Sequence, residues 1–183
     1  MGDADVQRAL LSLARLLDEE GIPYAIGGAM ALNAYGYERV TKDVDVLLSA
    51  AGLAAFKERH LGRGYVEKFP GSRGMRDTEN NVDIDVLLAG DYPGDGKPKP
   101  VAFPEPSAVA VREGTVALLP LAKLIELKLA SGMTAPHRLR DLADVLELIR
   151  VRALPTEFAA SLHPYVRAKF DELWGAAQTR DAE

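Results

Sequence analysis

Residues 27–48 read GGAMALNAYGYERVTKDVDVLL, and the prediction of the fold rests mainly on them. An apolar run at 22–26 ends in two glycines, a short helical pattern follows, and Asp43 and Asp45 open a second apolar run. The order of elements is therefore strand, glycine turn, helix and strand. This order predicts an α/β fold in which the glycine turn and the two aspartates lie at neighbouring strand ends.

The glycine turn and the aspartates together predict a site for phosphate and a metal ion. Gly27 and Gly28 let the backbone approach a ligand closely, and the helix that begins there offers unpaired N–H groups that suit phosphate. Asp43 and Asp45 share one face of a strand, where they repel each other unless a cation lies between them. Oxygen ligands suit Mg²⁺, which also binds substrate phosphates. A turn without ligand and a solvated strand end are the alternatives.

A second strand repeats the pattern of the first. Residues 82–89 read VDIDVLLA, so that Asp83 and Asp85 lie on one face and apolar residues lie on the other. Burying charge is costly, so two aspartates in a strand with a core face require a partner. If the two strands lie side by side, they gather up to four carboxylates. This is the strongest argument from the residues themselves for a divalent-metal site.

The chain is predicted to form a small mixed sheet with flanking helices in 1–118 and a helical C-terminal part in 119–183, packed as one unit. Helices are predicted at 6–17 and 50–61, strands at 65–69 and 75–78, and a hairpin at 109–118. The proline- and glycine-rich residues 90–106 predict an irregular loop, either a functional lid or an extended wrap. Residues 131–136 are predicted to form a loop between helices.

Lys128 is an anomaly in the helix that follows residue 118. At 100° per residue it lies in the middle of the apolar arc, whereas Lys123 and Glu126 lie on the polar side. An inward lysine is costly unless it meets negative charge. It therefore forms a structural ion pair, extends past the helix end to solvent, or binds the carboxylate and triphosphate cluster.

The next helix carries both acidic and basic candidates. Its buried face is predicted to begin at Leu139, with Asp141 at the border of that face, near enough to reach a cleft. Asp144 is predicted to point outward and to pair with Arg140. The helix is basic although the chain is acidic, through Arg138, Arg140, Arg150 and Arg152.

The two glycines, the Thr-x-Asp-x-Asp motif at 41–45, LKLAS at 127–131 and RDLADV at 140–145 carry a family resemblance. In this order they resemble the nucleotidyltransferase superfamily of DNA polymerase β and the minimal nucleotidyltransferases. Within that superfamily the later motifs are most similar to the AbiEii/AbiGii toxin-type group. The resemblance covers residues 22–149.

The resemblance implies a transferase that moves a nucleoside monophosphate from an NTP to an acceptor hydroxyl, with Mg²⁺ or Mn²⁺ and release of pyrophosphate. The acceptor would be RNA or tRNA, a protein or a small molecule. The chain itself would be the toxin of a toxin–antitoxin pair. Its implied metal ligands are Asp43, Asp45 and a third carboxylate, Asp85 by register or else Asp83. Its implied phosphate and catalytic residues are Gly27, Gly28, Thr41, Lys42, Lys128 and Asp141.

The composition limits the function classes. There is no cysteine, which excludes disulfides, thiol catalysis and zinc-thiolate sites. The formal net charge of −5 means that RNA would need a local basic patch, such as the four arginines named above. No run approaches the roughly 18 apolar residues of a membrane span, so a cytoplasmic location without membrane partner is expected. A catalytically silent nucleotide-binding module and a metal phosphohydrolase are the alternative functions.

Overall fold

The computed structural model describes residues 2–179 and shows a seven-stranded mixed sheet with flanking helices, so the predicted α/β class is confirmed. The strands are β1 Ala25–Ile26, β2 Asp43–Leu48, β3 Tyr65–Glu67, β4 Met75–Asp77, β5 Val82–Leu88, β6 Val111–Glu113 and β7 Val116–Leu118. The helices are α1 Gly2–Glu19, α2 Gly28–Ala34, α3 Ala50–His60, α4 Pro106–Val109, α5 Leu121–Thr134, α6 Leu139–Val151 and α7 Pro164–Gln178. Two 3₁₀ helices lie at Pro136–Arg138 and Thr156–Ser161.

The chain divides into two compact units. The first unit contains the described residues up to 31, Arg39–Gly90 and Pro104–Pro120, and it holds the whole sheet. The second unit contains Leu32–Glu38, Asp91–Phe103 and the described residues from 121 onward. In the described residues, no helix has the length and apolarity that a membrane crossing requires.

In the first unit the strand order is β3-β4-β5-β2-β1-β7-β6. Strand β2 pairs in parallel with β5 and antiparallel with β1, and β1 pairs in parallel with β7. Val44, Val46 and Ile84 are fully buried and form one core with the apolar side of α1 and with α3. Because side chains alternate along a strand, the aspartates of β2 and β5 lie on the opposite face of the sheet.

Local signals place the two helices that cover this core. Leu10, Leu13 and Leu17 of α1 are buried at helical spacing, and Gly21 has a left-handed φ of +64° just after the helix. Ser49 caps α3 by accepting a hydrogen bond from the Gly52 N–H at 3.0 Å. Both helices were predicted from the sequence, at 6–17 and 50–61.

In the second unit, helices α5, α6 and α7 pack against one another. The loop predicted at 131–136 is wrong, because α5 continues to Thr134 and a 3₁₀ turn begins at Pro136. Gly132 explains the tight connection: a Cβ there would overlap the Leu142 side chain, so its absence lets α6 come close. Leu139 is 65% exposed, which corrects its predicted burial; it is the first residue of α6.

The proline-rich stretch contains no strand or helix until α4 begins at Pro106, as predicted. Lys99 organises its middle part: its Nζ donates to the carbonyls of Pro93 and Lys97 and to Asp95 Oδ1, each at 2.7 Å. The ammonium also lies 5.7 Å from the centre of the Tyr92 ring. The side chain of Lys99 therefore links residues 93, 95 and 97 of this segment.

Candidate active site

Four aspartates are in register on β2 and β5. Asp43 lies opposite Asp83, and Asp45 lies opposite Asp85. All four are partly buried, while the residues between them, such as Val44, are fully buried on the core face. The convergence of two Asp-x-Asp strands expected from the sequence is therefore present in the structure.

The carboxylate of Asp43 is held by the hydroxyl of Thr41. The Thr41 hydroxyl donates to Asp43 Oδ1 at 2.7 Å, within a partly buried turn at the start of β2. This bond fixes one oxygen of the carboxylate and leaves the other for a ligand. Lys42, between them in sequence, is exposed.

The glycine turn is pressed against Asp45. The Gly27 N–H donates to the Asp45 carbonyl oxygen at 2.9 Å, so the turn is bonded to the strand. Gly28 begins α2 with a φ of +56°, and a Cβ at this position would overlap the Asp45 carboxylate. Both the backbone conformation and the space therefore require glycine at position 28.

Asp83 forms an ion pair with Arg76 of the neighbouring strand β4. Arg76 lies opposite Asp83 in the register of β4 and β5, and its Nε donates to Asp83 Oδ1 at 2.9 Å. The same guanidinium donates to Asn81 Oδ1 at 2.7 Å, which fixes its position. Asp83 is therefore part of a fixed ion pair.

Asp85 is paired with Lys68, the residue that follows β3. Lys68 Nζ lies 2.5 Å from Asp85 Oδ1 and 3.5 Å from Asp83 Oδ2, and its side chain is 30% exposed. The hydrogen bond to Asp85 raises the pKa of Lys68, so the ammonium stays charged at neutral pH. Neither Lys68 nor Arg76 was among the predicted site residues. Their one sequence signal is that they flank the glycine turn that precedes the carboxylate strand.

The donors on this face fit a divalent cation in kind. They are carboxylate oxygens only, the ligands that Mg²⁺ and Mn²⁺ accept, and the absence of a side chain at Gly28 makes room for the carboxylate of Asp45. In the part of the chain that the structure describes, no three carboxylate or imidazole side chains are grouped closely enough to hold a metal ion. A cation that uses Asp85 must therefore share this carboxylate with Lys68 or displace the lysine.

The second unit holds Lys128 and Asp141 in a buried network of its own. Lys128 Nζ lies 3.1 Å from Asp141 Oδ1 and 2.9 Å from Asp144 Oδ2, and the Ser131 hydroxyl donates to Asp141 Oδ2 at 2.6 Å. The ion-pair alternative for Lys128 is therefore present. Asp144 is 2% exposed, so the prediction that it points outward is wrong.

Glu126 also departs from its predicted exposure, since it is 5% exposed. One of its carboxylate oxygens accepts from Lys123 Nζ and the other from the His163 backbone N–H, both at 2.6 Å. Helix α7 follows directly after His163 and packs on α5. The carboxylate is therefore buried because it holds the start of a later helix.

The four arginines predicted as a nucleic-acid patch lie at the two ends of α6. Arg138 and Arg140 are exposed at its start. Arg150 is twelve residues beyond Arg138, about 18 Å along the axis at 1.5 Å per residue. Arg150 donates to Glu147 and to the carbonyls of residues 177 and 179 at the end of α7. The RNA partner stays a prediction.

No protein-family model matches the sequence, and no curated protein sequence matches it. The solved structures that are similar over nearly the whole chain include the following two. The first is an antigenic nucleotidyltransferase-like protein from Paracoccidioides brasiliensis, with a TM-score of 0.55, 15% identity, and coverage of 98% of this chain and 95% of that one. The second is the antibiotic-resistance factor ANT(2'')-Ia, with a TM-score of 0.54, 16% identity and 96% coverage of both chains.

At this level of identity, the comparisons show the fold. The chain has a nucleotidyltransferase-like fold, as the Gly-Gly and Asp-x-Asp motifs predicted. The AbiEii/AbiGii toxin-type group is not among these similarities and stays a prediction.

Proposed function

We propose that this chain is a divalent-metal-dependent nucleotidyltransferase that transfers a nucleoside monophosphate from an NTP to an acceptor hydroxyl. The observation that carries the proposal is the in-register set of aspartates on β2 and β5, with a glycine turn packed on one of them, in a fold of nucleotidyltransferase type. Phosphoryl transfer depends mainly on positioning and charge stabilisation, and these residues supply both.

Asp43, Asp45 and Asp85 would hold Mg²⁺ or Mn²⁺, which would stabilise negative charge on the transferred phosphoryl group and on the pyrophosphate. Thr41 fixes Asp43 through its hydroxyl bond, so that the carboxylate is oriented before ligand arrives. Gly27 and Gly28 would form the phosphate side of the site. Gly28 makes room for the Asp45 carboxylate, and because the Gly27 N–H donates to the Asp45 carbonyl, phosphate oxygens would approach the N–H groups that begin α2. Lys42 and Lys128 are further proposed phosphate ligands, and Asp141 is proposed to support Lys128.

Asp85 is the better candidate for the third carboxylate and for accepting the proton of the attacking hydroxyl. Asp83 is held by the guanidinium of Arg76, which Asn81 holds in turn, whereas Asp85 meets the single ammonium of Lys68, which has no planar fork. We expect Asp85→Asn to lower transfer by at least about 10²-fold, a usual scale for loss of a general base. Asp83→Asn should reduce transfer much less, and the reverse order would assign the role to Asp83.

The test of the function is incubation with each labelled NTP, Mg²⁺ and candidate acceptors. RNA or tRNA, protein and small molecules are the acceptor classes that the resemblance of the sequence implies. Label transfer that requires the cation and is lost in Asp45→Asn supports the proposal. Release of phosphate without transfer would indicate a phosphohydrolase, and binding without turnover would indicate a silent module.

The toxin role needs a separate test. We propose a cytoplasmic toxin neutralised by an antitoxin protein. Expression of the wild-type chain should then arrest growth, and Asp45→Asn should not. Normal growth at equal protein levels would contradict the toxin role without affecting the proposed chemistry.

A further inference from the structure

The turn between β3 and β4 places a lysine ammonium on the face of the sheet that carries the aspartates. Lys68 follows directly after β3, and its ammonium reaches both Asp83 and Asp85 on β5, two strands away in the sheet. The bond to Asp85, at 2.5 Å, is the shorter of the two. Lys68 therefore occupies the carboxylate that the proposed function assigns to a divalent cation.

The turn is built to keep Lys68 in this position. Glu67, its neighbour, accepts from Lys57 Nζ at 2.9 Å and from the Gly71 N–H at 2.8 Å, and Lys57 also donates to the Ser72 carbonyl. The Lys68 N–H donates to the Gly74 carbonyl at 3.2 Å. These bonds fix the backbone from which the lysine extends.

Gly74 provides the path for the lysine side chain. A Cβ at position 74 would lie 2.7 Å from Lys68 Cδ and 3.2 Å from the Ile84 carbonyl oxygen. The aliphatic stem of Lys68 therefore lies directly across this glycine on its way to Asp85. A side chain at position 74 would displace the stem of Lys68 by much more than the Ile84 carbonyl of β5, which it would also touch.

We propose that Lys68 is a positioning residue that holds Asp85 when no divalent cation is bound and competes with the cation for this carboxylate. The β3–β4 turn then sets the cation affinity of the site. This inference rests on the proposed function, since it assumes that Asp85 is a ligand of the cation. It adds a residue outside the motifs that the sequence and the fold point to.

The test measures binding of Mn²⁺ to the full chain without nucleotide, by calorimetry or by electron paramagnetic resonance. In Lys68→Met, a competing positive charge is removed, and we expect Mn²⁺ to bind about fivefold more tightly, the scale of one partly exposed ion pair. Lys68→Arg keeps the charge and should bind like the wild type. The difference should shrink at high salt, because exposed charges are screened.

Two further variants separate competition from general effects. Arg15→Gln removes one positive charge from α1, which packs on the core face of the sheet, and should leave Mn²⁺ affinity unchanged. Gly74→Ala displaces the lysine stem while all charges remain, and should also tighten Mn²⁺ binding. Melting temperatures without Mn²⁺ show whether each variant is folded.

The outcomes distinguish the inference from the function. If the wild type and Lys68→Met bind Mn²⁺ equally, or the variant binds more weakly, the role of Lys68 is overturned and the proposed function stands. If neither binds Mn²⁺, the metal-dependent function is overturned and the inference with it. Tighter binding by Lys68→Met together with wild-type binding by Lys68→Arg supports the inference.

Discussion

Gly28 is the residue of the glycine turn that cannot be replaced. Its φ of +56° disfavours any other residue, and its Cα lies against the Asp45 carboxylate. We expect Gly28→Ala to abolish nucleotide transfer and to lower the free energy of unfolding by about 1–3 kcal/mol, from backbone strain and displacement of Asp45. Denaturant unfolding and the transfer assay measure the two effects.

Gly62→Ala is the matched control for backbone strain. Gly62 has a φ of +76°, but a Cβ there would meet nothing within 4 Å. We therefore expect a loss of about 1 kcal/mol in stability and no loss of transfer. Equal activity of Gly28→Ala and Gly62→Ala would show that the contact with Asp45 has no functional role.

Tyr65 gives a prediction that depends on pH. Burial raises the pKa of Tyr65 to about 12, and although Ser12 is near, the hydroxyl makes no hydrogen bond of ordinary geometry with the described residues. The folded state holds the Tyr65 proton more tightly than the unfolded state does. Ionisation of Tyr65 therefore does not affect the free energy of unfolding below about pH 10, and it lowers this free energy as the pH rises from about 10 to 12. We expect the stability of Tyr65→Phe to fall less over this range.

At pH 7, Tyr65→Phe should be as stable as the wild type or more stable by about 1 kcal/mol, since it removes a buried unsatisfied hydroxyl. Tyr24→Phe is the contrasting variant, because the Tyr24 hydroxyl accepts from the buried Ala117 N–H at 3.1 Å. We expect it to lose about 1 kcal/mol. Thermal or urea unfolding at pH 7 and above about pH 10 measures the stability of both variants. Similar losses at pH 7 would contradict the conclusion that the Tyr65 hydroxyl has no hydrogen-bond partner among the described residues, whereas the Tyr24 hydroxyl has one.

At the scale of elements, α5 and α6 are joined by charge as well as by apolar packing. Lys128 faces Asp141 and Asp144, and Asp144 is almost fully buried. Lys128→Met removes the ammonium that lies between these two carboxylates, and we expect a loss of about 3–5 kcal/mol in the free energy of unfolding. Adding Asp144→Leu should restore a large part of this loss, because apolar replacement of a buried pair is often neutral.

Denaturant unfolding of the two single variants and the double variant measures the coupling. If the losses simply add, the pair contributes nothing beyond its separate members. Transfer activity of the stable double variant then tests whether Lys128 is also a phosphate ligand, as the sequence predicts.

The sequence predicted the elements of the sheet better than the burial of the helical charges. Alternation along β2 and β5 fixes which face carries the aspartates, so their common face followed from each strand alone. Glu126 is buried because it binds the start of α7, which is remote in sequence. Asp144 is buried because α6 packs on α5 with Asp144 facing Lys128, and the sequence does not specify how the two helices are aligned. A helical periodicity describes one helix, and it cannot show which later helix will cover its polar side.

The sequence did not identify Lys68 and Arg76 as site residues, for a related reason. Both lie beside the carboxylates only because β3 and β4 return antiparallel next to β5. The sequence predicted strands at 65–69 and 75–78, but it did not specify which of their neighbouring side chains would face Asp83 and Asp85. Register across strands is set by the whole sheet and is not readable from a short segment.

At the scale of the whole molecule, ligand binding should appear as stability. A ligand that binds only the folded state raises the free energy of unfolding, by about 2.7 kcal/mol at one hundred times its Kd. We expect Mg²⁺ with the preferred NTP to raise the melting temperature of the wild type and to leave Asp43→Ala unchanged. Without ligand, Asp43→Ala should melt at or above the wild-type temperature, because one of several neighbouring negative charges is gone.

A control for this experiment is Asp18→Ala, which removes a carboxylate that pairs with Arg112 at the edge strand β6. It should respond to Mg²⁺ and NTP like the wild type. Unfolding of Asp43→Ala at room temperature would show that this aspartate is structural, and an equal thermal shift in Asp43→Ala and the wild type would remove it from the ligand set.

The pairing of β1 with β7 has a consequence for synthesis of the protein on the ribosome. Ile26 lies opposite Leu118, so the central part of the sheet joins residues that are translated far apart in time. Strands β1, β2 and β5 emerge while one side of β1 still lacks its neighbour, and an unpaired strand side is a template for association with other chains. We infer that the nascent chain is most vulnerable to aggregation before residue 118 emerges, and that chaperones would act in this interval.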